Sequence, residues 1–246
     1  MPIAPNFASI YSHDFEISFL QCMPNGLLRH TELCNLFQVT AGFHAELGGL
    51  SFTDMQLHNQ AWVLSRMRVE IEELPKWRDK VTVKTWIVDL QGSRSVRALE
   101  MWHNGRKLAA SLTYWAVLNT KLRKSEGLAL PHEHFEKYPD RLPTEQSFRQ
   151  IELSGALQAG GEHVVKFSDL DIVNHANNVK YLEWCLDRCN VKKILRQQLT
   201  SFDMNYLREA KLGDIISIHS SESDQQNRFI LSKETKHCFA LELNWK

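Results

Sequence analysis

The residues best suited to chemistry in this sequence are an acid and a histidine that share one short polar segment. Asp171, Asn174 and His175 lie between a predicted strand that ends near Ser168 and a predicted helix that begins at about Ala176. Histidine is the side chain whose charge changes nearest to neutral pH, so it is suited to act as a general base. Free backbone N–H groups and the helix dipole at an amino end favour negative charge. This segment is therefore predicted to polarise a carbonyl group and to activate a water molecule.

The helix that follows is predicted from the spacing of its apolar residues. Intervals of three and four separate Val179, Leu182, Cys185, Leu186 and Cys189, which gives one buried stripe over residues 176–189. Cys185 and Cys189 lie one helical turn apart, which suits two core positions better than a disulfide. A strand near 162–168 precedes the segment, a short helix around 192–196 follows it, and further strands are predicted at 201–210, 214–222, 227–236 and 238–245.

The first half of the chain repeats this order of elements. The predicted elements are a strand at 14–22, a helix at 32–46 and four strands at 61–73, 80–90, 93–103 and 107–119. The pair Gly48-Gly49 is predicted to end the helix, and Asn104-Gly105 is a strong hairpin signal. Prolines at 131, 139 and 143 indicate that residues 120–160 form an extended connection.

An alignment of the two halves shows where they differ in polarity. Leu27 falls opposite His175, and Leu74 falls opposite Glu209. One copy therefore carries polar side chains where the other is apolar. The repeated order predicts an α+β fold with an internal duplication, in which each repeat has a long helix wrapped by an antiparallel β-sheet.

The overall composition excludes some classes of function. The 246 residues include 29 Lys and Arg against 29 Asp and Glu, so the charge balance does not predict nucleic-acid binding. The sequence has no signal-peptide pattern and no apolar run long enough to span a membrane, so a cytoplasmic location and reduced cysteines are expected. It also has no glycine-rich phosphate loop and no metal-ligand spacing, so no cofactor and no metal are predicted.

Four motifs carry a resemblance that extends over both halves. They are residues 168–181, Ala41-Gly-Phe-His44, Trp62-Val-Leu-Ser-Arg66 and Asn205-Tyr-Leu-Arg-Glu-Ala210. Together they resemble the acyl-acyl carrier protein (acyl-ACP) thioesterases of the tandem hotdog superfamily. The resemblance implies an N-terminal hotdog repeat at 1–130 that binds the acyl chain and lacks catalytic polar residues. It also implies a linker at 131–160 and a C-terminal hotdog repeat at 161–246 that carries the catalytic residues.

The resemblance also implies an activity and a partner. The expected reaction is hydrolysis of the thioester that joins a fatty acyl chain to the phosphopantetheine arm of an acyl carrier protein, which releases a free fatty acid and ends fatty acid synthesis. The family's Asp, His and Glu correspond to Asp171, His175 and Glu209. The family's Asn position, two before the histidine, is Val173 here. Either Asn174 substitutes for it through a shift of the loop, or its role is lost.

A second departure from the family concerns the residue after the glutamate. It is often Cys in plant relatives and is Ala210 here, which excludes a cysteine nucleophile at that position. Water activated by His175 and a carboxylate remains possible.

Several alternatives stay open at this point. An acyl-CoA thioesterase or a β-hydroxyacyl dehydratase of the same superfamily would share the motif, and a non-catalytic acyl-binding protein could have lost its site at Val173. A basic cluster could receive an acidic carrier protein or could be only a solvated helix face. That cluster comprises Lys180, Arg188, Lys192, Lys193 and Arg196. A monomer or a homodimer is expected.

Overall fold

The computed structural model describes residues 3–246, so the first two residues of the predicted N-terminal repeat lie outside the described residues. The chain divides into two compact units, Met1–Ser147 and Phe148–Lys246. This division falls inside the predicted linker at 131–160.

The first unit contains one long helix and an antiparallel sheet. Its elements are β1 (Ile10–Glu16), α1 (His30–Leu47), α2 (Phe52–Leu57), β2 (Gln60–Ile71), β3 (Lys80–Gln91), β4 (Arg94–His103), β5 (Arg106–Asn119) and β6 (Lys124–Ser125). The strands lie in the order β1-β3-β4-β5-β2, and the short β6 pairs with β5. Helix α1 packs against β1 and β3.

The second unit repeats this order. Its elements are β7 (Gln158–Val164), α3 (Asn178–Leu186), α4 (Val191–Arg196), β8 (Leu199–Tyr206), β9 (Ile215–Glu222), β10 (Gln226–Lys233) and β11 (Lys236–Trp245). The strands lie in the order β7-β9-β10-β11-β8, which matches the first unit strand for strand. Helix α3 packs against β11.

Local sequence signals account for most of these boundaries. Helix α1 buries Leu33, Leu36 and Phe37 on the predicted face and ends at Leu47, where the predicted stop residue Gly48 is its C-cap. The hairpin between β4 and β5 turns at Asn104 and Gly105, which have φ angles of +49° and +77°. Two consecutive positive φ angles are what a two-residue hairpin of this type requires. The predicted hairpin is therefore confirmed.

Two elements of the first unit differ from prediction. Strand β1 runs over 10–16 rather than 14–22 because its last pair with β3 is Glu16 opposite Lys80, and a strand cannot continue without a partner. Phe19, which continues the apolar alternation, lies instead in a 3-10 turn and is exposed. Helix α2 was not predicted, since six residues are too few to show a helical period. It begins where Ser51 accepts the Asp54 N–H.

The second unit also departs from prediction at the ends of β7, α3 and β8. Strand β7 runs over 158–164 rather than near 162–168, because its last pair with β9 is Val164 opposite Ile215. Helix α3 begins at Asn178 rather than Ala176 because the Asn177 side chain caps it by accepting the Val179 N–H. Strand β8 ends at Tyr206 rather than at residue 210. The N–H groups of Leu207 and Arg208 both donate to the Cys238 carbonyl. Two residues after β8 therefore oppose one residue of β11, and the regular pairing of the two strands ends there. Glu209 therefore lies in a loop.

The residues of the predicted linker are irregular but anchored. Phe135 is buried against Leu50 and Ile87 in the first unit. Ile151 is buried against Ile230 and Ala240 in the second unit. Apolar burial of this kind fixes a segment that has no regular backbone hydrogen bonds.

The internal hydrogen bonds of the two repeats confirm the predicted register. In the first unit the Leu28 N–H donates to the Pro75 carbonyl at 2.8 Å, and in the second the Ala176 N–H donates to the Ala210 carbonyl at 2.8 Å. The residues before these pairs are therefore equivalent. Leu27 corresponds to His175, and Leu74 corresponds to Glu209, as the sequence alignment placed them.

Other features of the chain bear on its class. All five cysteines lie in the described part of the chain and none forms a disulfide; Cys185 and Cys189 are buried, as predicted. Among the helices formed by residues 3–246, none is both long enough and apolar enough to cross a membrane.

Candidate active site

The turn after β7 and the loop after β8 bring His175 and Glu209 together. The His175 Nε2 atom lies 3.5 Å from the Glu209 Oε2 atom, and the two side chains are 21% and 25% exposed. The pair is therefore partly shielded from solvent but still open to a small molecule. An imidazole beside a carboxylate can take up a proton and be stabilised in its charged form.

Asp171 holds the backbone of the turn that carries His175. Its Oδ1 atom accepts the N–H of Val173 at 3.0 Å and the N–H of His175 at 3.4 Å. The Asp171 N–H in turn donates to the His175 carbonyl at 2.9 Å. The carboxylate thus closes the turn on itself and fixes the direction from which the imidazole leaves the backbone.

Asn174 lies at the tip of this turn in a left-handed backbone conformation. Its φ angle is +62°, and the equivalent residue of the first unit, Gly26, has a φ angle of +79°. Asparagine tolerates this conformation better than most residues do. The Asn174 N–H donates to the Asp171 carbonyl at 3.0 Å, and the residue is exposed. Val173 beside it is also exposed.

The backbone N–H groups near the helix start are already occupied. The N–H groups of residues 175, 176, 177 and 179 donate to Asp171 Oδ1, the Ala210 carbonyl, the Asp169 carbonyl and Asn177 Oδ1. The prediction that free N–H groups here polarise a carbonyl is therefore wrong for these four residues. The reason is the capping and bridging that hold the turn against the following loop.

Tyr181 supports the segment that carries Glu209. Its buried Oη atom accepts the N–H of Ala210 at 2.9 Å. Burial, with a smaller contribution from Cys238, raises the pKa of Tyr181, so its hydroxyl group stays neutral. Ala210 is held between this contact and the Ala176 N–H, which leaves Glu209 little freedom at its backbone. This role was not predicted, because the spacing of residues along a helix indicates which positions are buried but not which hydrogen bonds they make.

A second polar cluster lies beside the turn. The His163 Nε2 atom is 3.0 Å from Asp169 Oδ2, and the His163 ring stacks on Trp184 with centroids 4.3 Å apart. Burial alone would raise the pKa of Asp169, but hydrogen bonds from the Lys166 N–H and from His163 outweigh burial and lower it. Asp169 therefore stabilises the loop.

The predicted basic cluster is mostly engaged within its own unit. Arg188 donates to the carbonyl groups of Gly160, Glu162 and Trp184. Lys193 donates to the Ser223 carbonyl at 2.6 Å, and its side chain is 9% exposed. These two cations hold helices to strands, and they do not form an open cationic face.

The first unit has no such polar pair at the equivalent place, where Leu27 and Leu74 stand. In the part of the chain that the structure describes, no group of three or more His, Cys, Asp or Glu side chains is placed to hold a metal ion.

Comparison with known protein families gives matches over both units. The family model described as acyl-ACP thioesterase N-terminal domain matches residues 8–138. The model described as acyl-ACP thioesterase C-terminal domain matches residues 158–242. Together these matches cover more than half of the chain.

Curated relatives are identical to this chain at a little over a quarter of the aligned positions. A chloroplastic palmitoyl-acyl carrier protein thioesterase from Gossypium hirsutum is 27% identical over 233 residues, which is 87% of this chain and 55% of the relative. One from Arabidopsis thaliana is 29% identical over 198 residues, which is 74% of this chain and 48% of the relative. The chain thus spans about half the length of these curated relatives.

Solved structures show the fold. An acyl-ACP thioesterase from Bacteroides thetaiotaomicron has a TM-score of 0.89 at 24% identity, covering 97% of this chain and 98% of that one. The 12:0-ACP thioesterase from Umbellularia californica has a TM-score of 0.81 at 19% identity, with the same coverage of both chains. The predicted α+β tandem hotdog fold is confirmed.

Proposed function

The chain belongs to the acyl-ACP thioesterase family, and we propose that it hydrolyses the thioester of a fatty acyl-acyl carrier protein to release a free fatty acid. The relatives' names support this substrate class. The observation that carries the proposal is the His175–Glu209 pair, 3.5 Å apart and partly exposed, at a turn held by Asp171.

In the proposed reaction His175 acts as the general base. A water molecule at the pair gives a proton to the imidazole and attacks the carbonyl carbon of the thioester. The tetrahedral intermediate then expels the carrier's thiolate as the C–S bond breaks. The imidazolium returns its proton to the thiolate, so one water is consumed and one free acid and one thiol are formed.

The two carboxylates have different proposed roles. Glu209 stabilises the imidazolium that forms when His175 takes the proton, since opposite charges at this distance attract. Asp171 acts through the backbone of the turn and keeps the imidazole aimed at Glu209. Asn174 forms the left-handed tip of that turn, so its proposed contribution is to the position of His175.

The N-terminal repeat is proposed to bind the acyl chain. It is apolar at Leu27 and Leu74, where the other repeat has its histidine and glutamate. An apolar surface is what a fatty chain requires. The cytoplasmic location and the choice between monomer and homodimer stay predictions.

The test is a thiol-release assay on acyl-carrier, acyl-CoA and hydroxyacyl substrates of matched chain length. We expect the highest rate on the carrier-bound substrate. The variant His175→Ala should lose at least roughly 100-fold of that rate, a range usual for a general base. His237→Ala, which removes an exposed histidine from the same unit, is the control and should retain the full rate. A wild-type-like rate in His175→Ala would contradict the assigned base, and a preference for acyl-CoA would contradict the carrier.

A further inference from the structure

Three large apolar side chains are exposed on the segments that carry or adjoin the His175–Glu209 pair. Phe167 and Ile172 are each 84% exposed, and Leu212 is 58% exposed. Ile172 lies in the turn that Asp171 closes, and Leu212 follows Glu209 by three residues. Exposed apolar side chains that cluster at one place indicate an interaction surface.

The segments that carry these side chains are joined by hydrogen bonds. The Val165 N–H donates to the Asp214 carbonyl at 2.9 Å, and the Gly213 N–H donates to the Val165 carbonyl at 3.0 Å. Phe167 and Leu212 therefore project from adjoining turns. At the equivalent positions of the first unit, the rings of Phe19 and Trp77 are 6.3 Å apart.

Three exposed cations flank these apolar residues, namely Lys166, Arg208 and Lys211. Lys211 also contributes to the low pKa of the Asp214 carboxyl group, although burial opposes that shift and Lys233 is the cation that bonds to it. The first unit has Ser18 at the position of Lys166 and Glu73 at the position of Arg208. Positive charge at these two positions is thus specific to the repeat that carries the histidine.

We propose that this surface, the turn rim, docks the acidic carrier protein that delivers the thioester. The turn rim consists of Lys166, Phe167, Ile172, Arg208, Lys211 and Leu212. An apolar centre with exposed cations around it complements a partner that presents apolar side chains among carboxylates. The inference rests on the proposed function, because only a macromolecular substrate needs a docking surface outside the pair itself.

The turn rim replaces the basic cluster of α3 and α4 as the expected docking site. Arg188 and Lys193 of that cluster are engaged with backbone carbonyl groups, and Lys180 pairs with Glu183 at 3.1 Å. The remaining two, Lys192 and Arg196, are exposed and provide matched controls.

The experiment compares two substrates with the same acyl chain, one on the carrier protein and one on uncharged pantetheine. The triple variant K166E/R208E/K211E should lower kcat/KM for the carrier substrate by roughly tenfold or more, since three attractive charge contacts are lost and become repulsive on reversal. Its kcat/KM for acyl-pantetheine should stay within about twofold of wild type, because charge reversal at a rim leaves local chemistry unchanged. The controls K192E/R196E and Lys76→Glu, the latter at the first-unit equivalent of Lys211, should behave as wild type on both substrates.

Salt dependence and the apolar centre give independent readouts. Added salt should lower kcat/KM of the wild type for the carrier substrate and should have little effect on the triple variant. The double variant F167S/L212S should raise KM for the carrier substrate and not for acyl-pantetheine.

Other outcomes would overturn the proposal. An unchanged KM for the carrier substrate in both the triple and the double variants would do so. An equal loss of kcat/KM for the carrier substrate in the K192E/R196E control would also do so. If F167S/L212S altered only self-association in light scattering, or only binding to anionic vesicles, the occupant would be a second copy or a lipid surface. Failure of the wild type to cleave either substrate would instead refute the proposed function.

Discussion

Replacing Glu209 by glutamine tests the charge that the structure places beside His175. The exchange keeps the size of the side chain and removes its negative charge. The two groups are 3.5 Å apart and about a quarter exposed, so their interaction energy lies between the energies for a charge pair near a protein surface and for one in bulk water. Coulomb's law then gives about 1 to 5 kcal/mol for an imidazolium beside this carboxylate.

This attraction exists only after the imidazole has taken the proton, so its loss should raise the barrier rather than weaken substrate binding. We expect Glu209→Gln to lower kcat by roughly 5- to 5000-fold with little change in KM. The assay is thiol release at saturating acyl-carrier substrate, together with circular dichroism and thermal unfolding to verify the fold.

The matched control is Glu222→Gln, which neutralises a carboxylate of the same unit that lies 3.5 Å from Lys193. It should leave kcat unchanged. A kcat for Glu209→Gln within about threefold of wild type would refute the assigned role, because even the weakest interaction estimated above corresponds to roughly fivefold.

Three further predictions concern positioning and stability. Asp171→Asn should retain most of the activity, since its Oδ1 atom can still accept both backbone N–H groups, whereas Asp171→Ala should lose the activity. Equal kcat values for the two variants would contradict a role of Asp171 through the backbone of the turn. Tyr181→Phe leaves the buried Ala210 N–H without its acceptor, so we expect a loss of about 1–3 kcal/mol in the free energy of unfolding. Because Glu209 is then displaced, we also expect a several-fold lower kcat at unchanged KM. Burial lowers the pKa of His30 to about 4, so the stability that depends on neutral His30 is complete above pH 6.5 and falls by about 3 kcal/mol as the pH falls towards 4. Urea unfolding of His30→Gln should therefore show a weaker pH dependence between these limits. An unchanged pH dependence would exclude His30 as its origin.

The fold could be predicted in outline because its signals are local and occur twice. Alternating apolar residues, the stripe of α3 and the Asn104-Gly105 turn each depend on neighbours a few residues away. The predicted register of the repeats is confirmed by the equivalent hydrogen bonds of Leu28 and Ala176. The ends of elements were less accurate, since β1 stops where its partner stops and β8 stops where two N–H groups share the Cys238 carbonyl.

The candidate site was predictable as a set of residue types rather than as an arrangement. Asp171 and His175 stand out in a polar turn, and the resemblance added Glu209. That Asp171 bonds the backbone of the turn, and that the N–H groups before α3 already have acceptors, follows only from the path of the chain through space. No local pattern distinguishes a free N–H group from an occupied one.

The sequence by itself determined the duplicated order of strands and helices and the repeat that carries the polar groups, because these depend on side-chain period and turn chemistry within short windows. The tertiary structure decided which groups meet: His175 with Glu209, Tyr181 with Ala210, and Arg188 with the carbonyl groups around it. The physical reason is that hydrogen bonds and charge pairs depend on distances of a few ångströms between residues far apart in the chain. Those distances are set by the packing of the sheet and helix as a whole.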